Sequence, residues 1–298
     1  MPGAASSTNA RAAGTIAIGD DLMVHRLGFG AMRLTGGGIW GEPDDPAEAK
    51  RVLRRAIELG VDFIDTADSY GPFVSERLIA EALFPYPSAL VIATKGGLLR
   101  DGPGRWRPDG RPEHLREACE GSLRRLRVDR IDLYQLHRPD PAVPLEESLD
   151  ALLELQREGR IRYIGICNVT LEQLRLAREI AGVTSVQDRY NLIDRRNRDV
   201  LERCTADWIP FLPWFPLAKG DLARAGGPLA RIAAHHHATT TQIAIAWLLQ
   251  STPVMLPIPG TSSVSHLEEN VAAAGLLLEE GEMAELDNAV AGTIPIAS

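Results

Sequence analysis

Short runs of β-branched and aromatic residues alternate with longer stretches of helical periodicity along most of the chain. Strand-like runs fall at Leu27-Gly28-Phe29-Gly30, at 61–65, 90–94, 131–136, 160–166 and 184–187, and then at Trp208 to Pro213 and Val254 to Ile258. Between them the apolar residues recur with helical spacing: 46–59, 75–84, 112–126, 145–158, 170–181, 194–204, a region divided near His237 to Thr240, then 263–274 and 281–291. Strands separated by helices at this spacing pair in parallel through crossover connections. Eight such units in one chain of 298 residues fit a closed (β/α)8 TIM barrel, an α/β fold, better than an open doubly wound sheet.

An open dinucleotide-binding sheet would need G-x-G-x-x-G after an early strand, and Gly28-Phe29-Gly30-Ala31-Met32-Arg33 stops after its second glycine. Ahead of the barrel, Thr15 to Ile18 and Leu22 to Val24 flank Gly19-Asp20-Asp21 and read as a β-hairpin. The expected organisation is a flexible tail at 1–14 and a single barrel domain at 15–298, with extra C-terminal helices. Asp101 to Pro108 reads as a loop, and so does Gly220 to Ala225.

A formal net charge of −8 argues against nucleic acid or an anionic membrane as the main partner. No apolar run is long enough to span a bilayer, and residues 1–14 lack the apolar centre of a signal peptide. Cys119, Cys167 and Cys204 are odd in number and far apart. They suggest neither a disulfide framework nor a zinc site, so a cytoplasmic location is expected. His235-His236-His237 reads as a solvated helix end rather than a metal tract, with no acidic or cysteine partner nearby in sequence. No metal is expected.

Barrel enzymes carry their chemistry where strands end and the following loops begin. Asp65, Lys95 and His137 each fall at such a point, on three separate strands, and would converge on one mouth. Tyr70 lies five residues after Asp65, on the loop Asp65-Thr66-Ala67-Asp68-Ser69-Tyr70-Gly71. Singly, each has an ordinary reading as a cap, a loop anchor or a solvated lysine. Together, and in this order, they resemble the signature of the aldo-keto reductase family. The resemblance extends from about Leu27 to Asn270.

That resemblance implies hydride transfer from a reduced nicotinamide to a carbonyl carbon, with Tyr70 as the acid. A phenol is a weak acid, with a pKa of about 10. The Lys95 ammonium is expected to lower it, Asp65 to hold Lys95, and His137 to orient the carbonyl oxygen. The resemblance also implies cofactor contacts at Ala31, Met32 and Asp65. Gly165-Ile166-Cys167-Asn168 is similar to the family's carboxamide-holding motif, with Cys167 where serine is usual, and Gln187 is expected to share that contact. Pro213 to Gly220 is similar to the family's aromatic-Ser-Pro-Leu loop. There Trp214 would stack on the nicotinamide, and Phe215, Pro216, Leu217, Ala218 and Lys219 would follow toward the pyrophosphate.

Pro259 to Asn270 opens a helix whose free N–H groups would favour an anion. Ser262, His266 and Asn270, four apart, share a face. With Gly260, Thr261 and Glu269 they are where the resemblance places the adenosine and its 2′-phosphate. NADP(H) is expected first and NAD(H) second. Met32, Trp40 and Trp106 are expected substrate walls for a small carbonyl compound. Pro216-Leu217 and Pro259 to Ser263 look like bacterial members that include pyridoxal reductases, so a pyridoxal-type aldehyde is one candidate. A cofactor-sensing subunit, like the potassium-channel β-subunits of the same fold, is the alternative. Those relatives have Asn at the place of His137.

Overall fold

In the computed structural model, which describes residues 9–214 and 227–291, an antiparallel hairpin of β1 (Thr15–Ile18) and β2 (Leu22–His25) precedes the main sheet. The chain then lays down β3 (Phe29–Gly30), β4 (Phe63–Asp65) and β5 (Val91–Gly96) as parallel neighbours. A separate antiparallel ribbon follows, β6 (Leu98–Gly102) with β7 (Arg105–Pro108). The parallel order resumes with β8 (Ile131–Leu136), β9 (Ile161–Cys167), β10 (Ser185–Arg189) and β11 (Phe211–Trp214). Strand neighbours in space are neighbours in sequence, the ordering that a (β/α)8 barrel requires.

The eighth position is filled by 254–259, which bonds on both sides without forming a regular strand. Phe211 N–H reaches Val254 O at 2.9 Å, and Leu256 N–H reaches Phe211 O at 2.9 Å. On the other side, Gly28 N–H reaches Pro257 O at 3.0 Å and Gly30 N–H reaches Pro259 O at 3.5 Å. Pro257 and Pro259 have no N–H to return, which interrupts the ladder. The backbones are close here: a Cβ on Gly30 would lie 2.6 Å from Ile258 O, and one on Gly260 would lie 2.4 Å from Gly30 O. Only glycine permits that approach.

Ten α-helices are described: α1 (Pro46–Glu58), α2 (Val74–Leu83), α3 (Pro112–Leu126), α4 (Leu145–Arg157), α5 (Leu171–Ala181), α6 (Arg198–Ala206), α7 (Pro228–His235), α8 (Thr240–Ser251), α9 (Val264–Ala272) and α10 (Glu280–Ala291). Side-chain caps start three of them. Asp45 accepts from Glu48 N–H ahead of Pro46, and capping boxes pair Thr170 with Gln173 and Thr239 with Gln242. α1 buries Ala49, Val52, Leu53 and Ala56 on one face. α8 is buried from Ile243 to Leu249, and its Trp247 donates to Asp287 on α10 at 3.1 Å. Among the described residues, no helix is long and apolar enough to cross a membrane.

Three expectations change. Residues 9–13, assigned to a flexible tail, form a 3-10 turn capped by Asn9, with Ala10 buried and its N–H on Leu59 O at 2.9 Å. Asp101 to Pro108 belongs to the β6–β7 ribbon, because Gly102-Pro103-Gly104 turns the chain back. His235 and His236 do have an acidic partner: Glu282 of α10 lies 2.9 Å from His235 Nδ1 and 2.7 Å from His236 Nε2. The imidazoles clasp α7 to α10.

Candidate active site

Asp65, the last residue of β4, is fixed from three other strands, β5, β8 and β10. Its Oδ2 accepts from Lys95 Nζ at 2.7 Å, and its Oδ1 accepts from Gln135 Nε2 at 3.0 Å and Gln187 Nε2 at 2.8 Å. Lys95, near the end of β5, is completely buried. Its ammonium also donates to Thr66 O at 2.8 Å and Tyr70 Oη at 3.4 Å, which uses all three of its N–H groups. Tyr70 sits on a tight loop, with its N–H on Ala67 O at 3.2 Å. The loop ends at Gly71, whose φ of +94° is a left-handed conformation suited to glycine. His137 follows β8, its ring centroid 5.8 Å from that of Tyr70 in an edge-on arrangement. The structure brings all four residues together.

Burial pushes the Tyr70 phenol up to about 12, against the pull of the Lys95 ammonium. The expected lowering by Lys95 is present but smaller than the desolvation of a phenolate, so the net direction is upward and the phenol keeps its proton. Burial alone would lower Lys95, yet Asp65 and Tyr70 raise it above its ordinary value. His137 is held well below the usual imidazole range by burial and by the cations Lys95, Arg138 and Arg100. The site therefore presents a protonated phenol, an ammonium and a neutral imidazole.

Asp65, Tyr70 and His137 line a cleft of about 820 Å³, with Lys95 buried behind them. Asn168, Gln187 and Trp214 line it beside Tyr70 and His137, and Met32 and Trp106 also face it. Asn168 joins the others: it donates to His137 O at 2.9 Å and accepts from Trp214 Nε1 at 3.1 Å, which sets the indole. Its φ of +58° is one that asparagine tolerates. Gln187 spends one amide N–H on Asp65, which leaves its second N–H and its carbonyl oxygen to offer. At the outer end Gly260, Thr261, Ser262, His266, Glu269 and Asn270 line the wall. The cleft thus has amide groups at its reactive end and hydroxyl, imidazole and amide groups at the other. Its volume exceeds the need of a small aldehyde alone, and this donor set fits a dinucleotide.

Other expected contacts differ. Cys167 is fully buried, faces Gln135 Oε1 at 3.6 Å and does not line the cleft; it is a core residue, its thiol raised by burial. Ala31 is fully buried, and its carbonyl accepts from Ser75. Trp40 is 37% exposed and does not line the cleft, whereas its neighbour Ile39 does. The α9 N-terminus is less free than its sequence implies: Val264 N–H is held by Glu48 Oε1 at 3.2 Å and Ser263 N–H by Thr261 Oγ1 at 3.1 Å. Phe215, Pro216, Leu217, Ala218 and Lys219 lie outside the described residues.

Several lining residues went unnoticed in the sequence. Arg33 and Arg138 bring positive charge to the cleft, and Leu98 and Ile258 bring apolar surface. Arg33 and Arg138 each directly follow or adjoin a named site residue, the one available signal. Gln135 had a signal too, as an amide within an apolar strand.

A protein-family model described as the aldo/keto reductase family matches residues 26–291. An uncharacterized oxidoreductase of Schizosaccharomyces pombe is 50% identical over 284 residues, 95% of this chain and 92% of that protein. Pyridoxine 4-dehydrogenase of Escherichia coli is 42% identical over 271 residues, 89% of this chain and 94% of that protein. An aldo-keto reductase from Klebsiella pneumoniae, solved in complex with NADPH, superposes with a TM-score of 0.78 at 27% identity, covering 92% of this chain and 94% of that one.

Proposed function

The chain belongs to the aldo/keto reductase family, and on that premise we propose that it reduces aldehydes or ketones to alcohols with NADPH, with Tyr70 as the proton donor. The observation that carries the residue roles is the buried Lys95 ammonium, 2.7 Å from Asp65 and 3.4 Å from Tyr70 Oη, with both of those partners lining the cleft. The Klebsiella pneumoniae relative was solved in complex with NADPH, and the donor set along this cleft suits that cofactor. Asn168 and Gln187 would hold the nicotinamide amide, Trp214 would lie against the ring, and Ser262, His266 and Asn270 would hold the adenosine end. When bound, the reduced nicotinamide supplies the hydride that reaches the carbonyl carbon.

The protein's own groups do the rest. His137 donates a hydrogen bond to the carbonyl oxygen and so polarises and orients it. As negative charge grows on that oxygen, Tyr70 Oη–H transfers its proton there, and the alcohol forms. Lys95, hydrogen-bonded to Tyr70, stabilises the phenolate left behind, and Asp65 keeps Lys95 in place. Trp106, Leu98 and Ile39 provide apolar walls for the substrate. The Escherichia coli relative's name, pyridoxine 4-dehydrogenase, makes the pyridoxal and pyridoxine pair the first substrate to try.

The test is purified protein with NADPH and a panel of carbonyl compounds that includes pyridoxal. Turnover is expected. Tyr70→Phe should lower it by about 100-fold or more while NADPH still binds. Tight NADPH binding with no turnover across the panel would favour a cofactor sensor instead.

A further inference from the structure

Ser69, the residue before Tyr70, is buried, and its hydroxyl oxygen lies 3.3 Å from His137 Nδ1. That hydroxyl makes no other hydrogen bond among the described residues. We propose that Ser69 is a positioning residue that fixes His137 in the tautomer with hydrogen on Nε2, so that the ring offers a donor to the cleft. The proposal deepens the carbonyl-reductase reading and rests on it for its catalytic consequence.

A neutral imidazole carries one N–H and one bare nitrogen, and the neighbour of one nitrogen decides which is which. His137 is such a ring, since burial and the surrounding cations Lys95, Arg138 and Arg100 disfavour a second proton. Two arrangements fit the contact with Ser69. If Nδ1–H donated to the hydroxyl oxygen, the Ser69 O–H would be left buried with nothing to donate to. If the Ser69 O–H donates to Nδ1, that donor is satisfied, and only spare lone pairs on oxygen stay unused. A buried unsatisfied donor costs more than a spare lone pair, so the second arrangement prevails. Nε2–H is then on the ring edge away from Ser69.

Both partners are held so that the contact persists. Arg100 on β6 donates to Ser69 O at 3.2 Å and to Ile39 O at 2.5 Å, with its guanidinium 3.6 Å above the Trp106 ring. His137 is tied through its N–H to Gly96 O at 2.9 Å and through its carbonyl to Asn168 Nδ2 at 2.9 Å. Tyr70 and Trp106 meet the imidazole edge-on at centroid distances of 5.8 and 6.4 Å. A bare Nε2 in that place would repel a carbonyl oxygen, whereas Nε2–H attracts it.

Long-range 1H–15N correlation spectra of histidine-labelled protein read the tautomer directly, and His137→Gln identifies the His137 signals among the seven histidines. The wild-type protein should show a protonated Nε2 and a bare Nδ1. Ser69→Ala should shift the ring toward a mixture and lower kcat about 10- to 100-fold, with NADPH affinity and substrate KM nearly unchanged. Ser69→Thr, which keeps the hydroxyl, should restore the wild-type tautomer and most of kcat. A wild-type ring protonated on Nδ1, or a Ser69→Ala ring unchanged from wild type, overturns the proposal. The wild-type spectrum decides even if the alanine variant does not fold. The tautomer is read without turnover, so a failure of the reductase reading would show in the carbonyl panel and not in these spectra.

Discussion

Lys95 Nζ lies 2.7 Å from Asp65 Oδ2, with the lysine side chain wholly buried and the aspartate nearly so. The same pair that tunes Tyr70 is therefore part of the barrel's interior. Removing one member of a buried ion pair strands the other, at a cost of about 3–5 kcal/mol.

Lys95→Met should thus fail in two ways. Carbonyl reduction should fall by about 100-fold or more, because no ammonium would stabilise the phenolate. Urea denaturation should show a loss of about 3 kcal/mol or more, because Asp65 would keep only Gln135 and Gln187 as donors. Tyr70→Phe leaves the pair intact and should change stability by only about 1 kcal/mol. A Lys95→Met protein as stable as the wild type would show that the pair contributes nothing to folding.

The resting protonation of the site sets a pH profile. Tyr70 is pushed up to about 12 and His137 is held well below its ordinary value, so neither titrates between about pH 6 and 9. The reduction rate at saturating NADPH should be flat over that interval. A descending limb near pH 8 that disappears in Tyr70→Phe residual activity would mean that Lys95 outweighs burial after all.

Arg100 should control the shape of the substrate mouth. Beyond Ser69 and Ile39, it donates to Gly38 O at 2.9 Å and Gly102 O at 3.3 Å, so one guanidinium ties two barrel loops to the β6–β7 ribbon. Arg100→Lys keeps the charge but not the planar fork. It should raise KM for aromatic aldehydes about tenfold and leave NADPH affinity unaltered, since Arg100 does not line the cleft. Steady-state kinetics with paired aromatic and small aliphatic aldehydes would check this. Equal KM changes for both would argue against a shaped wall at Trp106.

What the sequence reveals and what it hides divide along the same physical line. Asp65, Lys95 and His137 are legible because a β-branched run has a visible end, and barrel strand ends converge. Gln135 stands out only as an amide within an apolar strand, since its bond to Asp65 exists only once the barrel assembles. Cys167 and Asn168 adjoin in a motif, yet one side chain is buried in the core and the other lines the cleft, because β9 ends at Cys167 and the chain turns at Asn168 with φ of +58°. Glu282 is 46 residues beyond His236, a distance over which no local pattern connects them. Pro257 and Pro259 leave the eighth apolar run recognisable but deny it a regular ladder.

Asp68 provides a stability test independent of turnover. Burial, and then the nearby Glu76 carboxylate, push its carboxyl up to about 8, with Arg125 and Lys95 pulling less strongly the other way. Its Oδ1 has no hydrogen-bond partner among the described residues. In the unfolded chain an aspartate releases its proton near pH 4, so between about 4 and 8 the folded protein binds the extra proton. Stability from this group is complete below the unfolded value and is lost as pH rises through about 8. Asp68→Asn cannot ionise and lacks that loss. Wild-type Tm should fall between pH 6.5 and 9 by on the order of 2–4 °C more than that of the variant. Other groups titrate equally in both proteins, so the difference between their slopes isolates Asp68. Parallel Tm curves would mean that Asp68 is already ionised at neutral pH, and that the Arg125 and Lys95 charges outweigh its burial.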